Sequence, residues 1–382
     1  MKSLYLKARA ACALLLVIEF CSGLVFFSPV STLYRQSRGI NISQIGIIES
    51  ISLAVMMVLE IPWGTLAEKI GYKKTLMICS LLSLVSKIMF WKADSFLLFL
   101  LERIVLSFAL AGISGVDYAY ISSFLKPDQM TRFFGRYNGV STMGLLCASL
   151  IFSVFLKDNY SLSAFLTMIA YALFFLLSLF LPEEERRAVQ GEKKKFSWHI
   201  SKAMTPVLVS CSLVLATGQS LTVFISQLKY SSVGMTSSII GIAHIIMICT
   251  GIVSSLLSYR LSERFGKRNA IAICFAASLA GCILALFASS AISCIVAICI
   301  LKAGVSAVVP IYGFIQCSMA DPDGKAVTLS SFALAGELAE MVLSSVYGAI
   351  AQASIGLLFG SASLVCLLAM TVLMLDKKPL ER

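Results

Sequence analysis

Ten charged side chains fall inside long apolar runs or at their edges. They are the acids Glu19, Glu49, Glu60, Glu102, Asp117, Glu337 and Glu340 and the bases Lys87, Arg103 and Lys302. A charge placed in a bilayer costs roughly 2.5–3.5 kcal/mol on insertion scales, so such residues mark function or pairing by default. Glu19 and Asp117 lie well inside their runs, and no base lies within one turn of either on the same run. Desolvation disfavours a charged carboxylate, so these two acids are expected to exchange protons. Arg103 and Asp117 are fourteen positions apart. On a continuous helix that puts them within about 40° of one face but about 21 Å apart along it, too far to pair. Glu49 and Glu60, eleven apart, share a face by the same reckoning. Glu337 and Glu340 are one turn apart, so if both are buried at least one is protonated or paired, with Lys302 the candidate partner. The plain alternative for all of these is polar contact between neighbouring helices.

The elements that position these residues are membrane spans. Mean hydropathy is +0.90, and 13% of residues are charged, against about 25% in soluble domains. Apolar runs of roughly 20 residues, long enough to cross a bilayer core, recur at about 10–34, 44–66, 75–91, 95–126, 134–156 and 162–181. Six more follow at about 205–229, 237–259, 269–289, 291–315, 327–350 and 354–375. Gly23 and Pro29 interrupt the first run, which imitates a signal peptide. It is read as a span because it is long, contains Glu19 and lacks a clear cleavage site. The fold class is therefore an all-α polytopic membrane protein with twelve transmembrane helices. A six-helix unit at 1–181, a polar linker at 182–204 and a second six-helix unit at 205–382 are expected. The linker carries the run Lys193-Lys-Lys195 and an amphipathic stretch at 196–200 suited to a membrane surface.

The net charge of +11 is a topology signal and not a nucleic-acid one. In alternate loops, 23 basic residues fall on one side and five on the other (Arg35, Arg38, Lys92, Lys157 and Lys229). The positive-inside bias then puts both termini and the linker in the cytoplasm. Twelve cysteines without a CxxC pair read as small apolar residues, and two histidines make no metal site. Asn41-Ile-Ser43 and Asn159-Tyr-Ser161 match the glycosylation pattern and are taken as chance matches. No G-x-x-x-x-G-K-[ST] occurs, and no nucleophile–base pair or metal cluster is visible in the runs, so neither an ATP-driven pump nor a membrane enzyme is indicated. No cofactor is expected.

One loop is written twice. Gly64-Thr-Leu-Ala-Glu-Lys-Ile-Gly-Tyr-Lys-Lys74 returns in pattern as Leu261-Ser-Glu-Arg-Phe-Gly-Lys-Arg268. Glu263 stands in the place of Glu68 and Gly266 in that of Gly71, an offset of 195 (263 − 68). Internal duplication of an apolar chain points to a transporter. Acid, turn glycine and base in that order (Glu68, Gly71 and Lys73; Glu263 with Arg264, Gly266 and Arg268) suit a charged latch between helix ends. Gly64, Leu66, Gly71 and Lys73 make the first copy similar to the loop signature of the major facilitator superfamily, with Glu68 in place of the usual aspartate. Glu60-Ile-Pro-Trp-Gly64, Ile113-Ser-Gly-Val-Asp-Tyr-Ala119 and Lys325-Ala-Val-Thr-Leu-Ser330 resemble a bacterial group of that family.

The resemblance implies two pseudo-symmetric six-helix bundles around a central cavity, with the first, fourth, seventh and tenth helices facing the pathway. On those helices it places Glu19, Arg103, Asp117, Gln219 and Lys302 as candidate coupling or substrate groups, joined by Glu337 and Glu340. Arg103 matches an arginine common in proton-coupled members. One departure is that the fifth run, 134–156, has no proline, whereas drug–proton exporters often carry a glycine–proline signature there. Few charges among apolar walls suit an amphiphilic solute better than a sugar. The expected function is proton-coupled export of amphiphilic small molecules by alternating access, with proton-coupled import or facilitated passage of a small metabolite as the alternative. The expected partners are a small-molecule substrate, protons and the lipid bilayer, with no nucleic acid, for a monomer in a bacterial plasma membrane.

Overall fold

The computed structural model describes residues 2–125, 127–184, 204–319 and 325–375. The expected linker boundaries and the stretch at 196–200 fall mostly at 185–203, outside the described residues. The described residues form helices and no strand. Among the described residues twelve spans are long and apolar enough to cross a membrane. In chain order the α-helices are α1 (Lys2–Gly23), α2 (Ser31–Ser37), α3 (Ile42–Ile70), α4 (Tyr72–Lys92), α5 (Phe96–Ile113), α6 (Val116–Ser122), α7 (Pro127–Ile151) and α8 (Tyr160–Leu179). They continue as α9 (Thr205–Gln219), α10 (Ser226–Ser232), α11 (Ser237–Phe265), α12 (Lys267–Phe287), α13 (Ala291–Met319), α14 (Lys325–Ala353) and α15 (Ile355–Leu375). The chain divides into two compact units, Met1–Ile40 with Ile51–Gly191, and Asn41–Ser50 with Glu192–Arg382. Residues 41–50 group with the second unit because they pack on α14. The Ser50 hydroxyl donates to the Met341 carbonyl at 2.6 Å, and Gly46 meets Gly348.

The offset of 195 seen in one loop runs through the helix boundaries. It separates Ile42 from Ser237 and Ile70 from Phe265 at the two ends of α3 and α11, and Tyr72 from Lys267 and Lys92 from Phe287 at those of α4 and α12. It also separates Gly39, Gly71 and Gly115, all at positive φ, from Gly234, Gly266 and Pro310. Packing is repeated as well. In the first unit α1 packs on α7 and α8, and α4 on α5 and α8; in the second α9 packs on α14 and α15, and α12 on α13 and α15.

Irregular backbone falls at matching places. The first span breaks after Gly23 and resumes through a 3-10 turn at Ser28–Val30. The amide of Phe26, freed by the break, donates to Thr167 Oγ1 at 2.9 Å, as backbone at membrane depth requires. The seventh span carries a π-turn at Ser220–Ile225, 195 positions beyond this break. The fourth span breaks at Ser114–Gly115, where Gly115 adopts φ +76°. This break corrects the shared face assigned to Arg103 and Asp117. They lie on different helices, α5 and α6, so continuous-helix spacing does not relate them. Glu49 and Glu60 do lie on one helix, α3, yet Glu49 is buried and Glu60 exposed.

Close helix contacts are made by small residues, as in other membrane bundles. At Gly144 an added Cβ would overlap the Phe20 carbonyl and lie 3.2 Å from Gly23 Cα, so α1 and α7 touch backbone to backbone. Gly144→Val is expected to force the two helices apart or prevent folding. Detergent-solubilised protein should then lose a monodisperse elution peak and unfold at least about 5 °C earlier, a shift on the order of 1–3 kcal/mol for overpacking. Glycosylation-like Asn41 and Asn159 have a structural use. Asn159 Oδ1 accepts from Leu162 N at 3.0 Å, and Asn41 and Gln44 accept reciprocally from each other's backbone amides at 2.8 and 3.0 Å. Both asparagines are helix N-caps.

Candidate functional site

The first unit encloses a cavity of about 330 Å³ lined along its apolar wall by Leu15, Ile18, Leu76, Leu106, Leu110 and Phe174. Glu19 and Asp117 both reach it, from α1 and α6, and among the described residues no Lys, Arg or His lines it. The broken fourth span places Asp117: the turn at Gly115 starts α6 two residues before it, and its Oδ1 accepts from the Tyr118 amide at 2.8 Å. Tyr137, on α7, lines the same cavity close to both carboxyls. Tyr171, on α8, lies near both Glu19 and Glu102 and donates to the Ser22 carbonyl at 3.0 Å. The aromatic hydroxyls and Asn138 were not foreseen in the sequence. The available signal was the polar run Arg136-Tyr137-Asn138 at the start of the apolar stretch of α7.

Beyond Tyr171 lies a buried ion pair. Lys87 Nζ of α4 is 4.0 Å from Glu102 Oε1 of α5, with both side chains buried. The Ser86 hydroxyl donates to the same oxygen at 2.6 Å, while Glu102 Oε2 has no hydrogen-bond partner. Lys87 also faces the rings of Phe27 and Tyr171, at 5.7 and 5.2 Å. Arg103, next in sequence to Glu102, is half-buried and does not line the cavity.

The second unit holds a cavity of about 370 Å³ that brings together Gln219, Lys302, Glu337 and Glu340. Ser212, Ser306, Tyr312 and Gln316 also line it. It is therefore richer in hydrogen-bonding groups than the sequence reading allowed. The stem of Lys302 passes Gly251 of α11 so closely that a Cβ there would lie 3.1 Å from Lys302 Cε.

The duplicated loop is shaped by its glycines. Gly71 and Gly266 adopt φ of +98° and +75°, which a side chain would strain. Gly64 has open space where a Cβ would stand. Glu68, Glu263 and Arg264 are exposed, and Lys73 and Arg268 are half-buried. The acid that closes the first loop is Glu184, at the end of the sixth span. Its carboxylate accepts from the Tyr72 amide at 2.6 Å and, more weakly, from that of Lys73 at 3.3 and 3.4 Å. Tyr120 Oη donates to the Pro182 carbonyl at 2.8 Å and pins the same segment. A carboxylate on the first free amides of α4 is favoured by both hydrogen bonding and the helix dipole. Among the described residues, no group of three or more His, Cys, Asp or Glu is arranged to hold a metal ion.

Comparison with known proteins places this architecture. Over 253 residues, 60% of each chain, the sequence is 21% identical to the class H tetracycline resistance protein of Pasteurella multocida. Over 123 residues, 32% of each chain, it is 28% identical to an uncharacterised MFS-type transporter of Methanocaldococcus jannaschii. The matches thus span about a third to three-fifths of these curated relatives. The fold superposes on the nucleoside transporter NupG with a TM-score of 0.82 at 14% identity, covering 98% of this chain and all of that one. It superposes on a D-xylose–proton symporter with a TM-score of 0.75 at 14% identity, covering 97% of each. The family model of the Major Facilitator Superfamily matches residues 13–250 and 207–382. With twelve spans among the described residues and a family model matched along most of its length, this multi-pass membrane protein belongs to the Major Facilitator Superfamily.

Proposed function

We propose that the protein is a proton-coupled exporter of amphiphilic, preferentially cationic small molecules. The observation that carries this reading is the first unit's cavity: an apolar wall holding two carboxyls and, among the described residues, no base. Such a surface attracts a lipophilic cation and a proton to the same groups, and competition between them is the minimum requirement for exchange. The similarity to a tetracycline resistance protein fits export. The side carrying the 23 basic residues is assigned to the cytoplasm, with both termini, in a cell membrane. Glu68 and Glu263 are assigned to a latch on that side, each beside a glycine-shaped turn.

A second reading, proton-coupled uptake of a small polar metabolite, is favoured by the hydrogen-bonding groups of the second unit's cavity, Gln219, Gln316, Tyr312 and Lys302 among them. Proteoliposomes separate the two. With an acid-inside gradient and tetraphenylphosphonium outside, an exchanger draws the probe inward against its own gradient. Uptake of a neutral nucleoside or pentose driven by an acid exterior, with no movement of the cation, would replace the first reading by the second.

A further inference from the structure

The second unit's cavity is long, and its two ends differ in charge. Along α13 it is lined from Lys302 through Val305 and Val309 to Tyr312 and Gln316. Lys302 and Tyr312 are ten positions apart (312 − 302), about 15 Å of helix. At the Lys302 end, Gly251 of α11 leaves room for the ammonium stem. A Cβ there would lie 3.1 Å from Lys302 Cε and 2.9 Å from Ser306 Oγ. At the Tyr312 end stands Ser212 of α9, with Gly336 of α14 beside it; a Cβ on Gly336 would lie 3.9 Å from Ser212 Oγ. Glu337 follows Gly336 directly and lines the cavity, which gives this end an acid. Glu340 lines it one turn further along α14.

Neither end is satisfied within the protein. The partnership expected of Lys302 with Glu337 or Glu340 is not made: among the described residues the half-buried Lys302 has no ion pair. His244 of α11 is the titratable side chain near it, and an imidazole carries no negative charge. Ser212 and Tyr312 are 5% and 7% exposed, yet neither Ser212 Oγ nor Tyr312 Oη has a hydrogen-bond partner. The two hydroxyls and Gln316 lie near one another but outside hydrogen-bond geometry for Tyr312 Oη. Buried hydroxyls are rarely left so, and a ligand atom that bonds them recovers the loss. A cation set in an apolar wall likewise attracts an anionic group.

We infer that the second unit's cavity binds an elongated zwitterion, a solute with a carboxylate at one end, an ammonium at the other and an apolar body between. Lys302 receives the carboxylate. Ser212 Oγ and Tyr312 Oη accept from the ammonium, and Glu337 neutralises it. The side chains of Val305 and Val309 cover the apolar body. The inference goes beyond the exchange reading, which is carried by the first unit's cavity, and gives the polar groups of the second unit a ligand of stated charge.

ω-Amino acids serve as a ruler for such a site. Binding of 4-aminobutyrate, 6-aminohexanoate and 8-aminooctanoate to the full-length protein in lipid nanodiscs is measured by calorimetry, beside hexanoate and hexylamine, which each keep one charge. The two longer zwitterions should bind about tenfold more tightly than 4-aminobutyrate, which cannot reach both ends, and than either singly charged analogue. In Lys302→Gln, 6-aminohexanoate should fall to the affinity of hexylamine; in Glu337→Gln it should fall to that of hexanoate. Lys302→Arg should keep the wild-type order of the probes, and with it the wild-type ranking decides the matter if the glutamine variants do not fold. Absence of binding by all three zwitterions, a zwitterion no tighter than hexanoate or hexylamine, or an order unchanged in both glutamine variants would overturn the site. Gradient-driven movement of tetraphenylphosphonium by the wild type scores the exchange reading separately, so either can fail alone.

Discussion

Glu19→Gln and Asp117→Asn are each expected to abolish proton-driven movement of a lipophilic cation while leaving the protein folded in the bilayer. Both acids line the first unit's cavity, no base among the described residues accompanies them, and an amide replaces each carboxyl at nearly the same volume. Packing is therefore preserved while the titratable carboxyl is lost. The expected fall in gradient-driven flux is at least about a hundredfold, since a coupled step that loses its proton carrier leaves only leak. The pH dependence has a definite sign. In the wild type, protons and the cation compete, so probe binding should weaken as pH falls, by no more than about tenfold per unit if a single proton is exchanged. In each variant the dependence should flatten. Equilibrium binding of tetraphenylphosphonium across pH, with transport in matched proteoliposomes, measures both effects. Wild-type flux in both variants would show that neither acid carries the coupling proton.

The spans were legible because an apolar run of about 20 residues has few other uses, and the duplication because Glu68 and Gly71 return as Glu263 and Gly266. The structure carries the same offset into the helix ends of α3, α4, α11 and α12. The shape of the spans was less legible. Gly115 looks like any small residue in a membrane helix, yet there it adopts φ +76° and ends α5. The face shared by Arg103 and Asp117 was lost with that one turn. Sequence reasoning found Glu19 and Asp117 because a buried charge is conspicuous, and missed Tyr137 because a tyrosine in an apolar run is not. Glu184 was missed for a different reason. It belongs to an acidic, linker-like stretch, and its contact with the Tyr72 amide joins residues 112 positions apart. Local pattern does not register a contact of that kind.

Removing one member of the Lys87–Glu102 pair is expected to be the most destabilising polar change in the first unit. Both side chains are buried, at 7% and 1% exposure, where water does not replace a lost partner. Breaking a buried pair typically costs about 3–5 kcal/mol. Glu102→Leu leaves the ammonium between the rings of Phe27 and Tyr171, at 5.7 and 5.2 Å, which can offset part of the loss by cation–π attraction. Lys87→Met leaves a carboxylate with one oxygen held by Ser86 and the other without a partner. The methionine variant should therefore be the less stable of the two. The double variant Lys87→Met/Glu102→Leu should regain most of the loss, because a 4.0 Å pair with an unpaired oxygen has little net attraction to forfeit once both charges are gone. Thermal unfolding of the four proteins in one detergent gives the coupling between the two sites directly. A double variant no more stable than the worse single variant would show that the pair itself, and not the avoidance of a lone buried charge, holds α4 to α5.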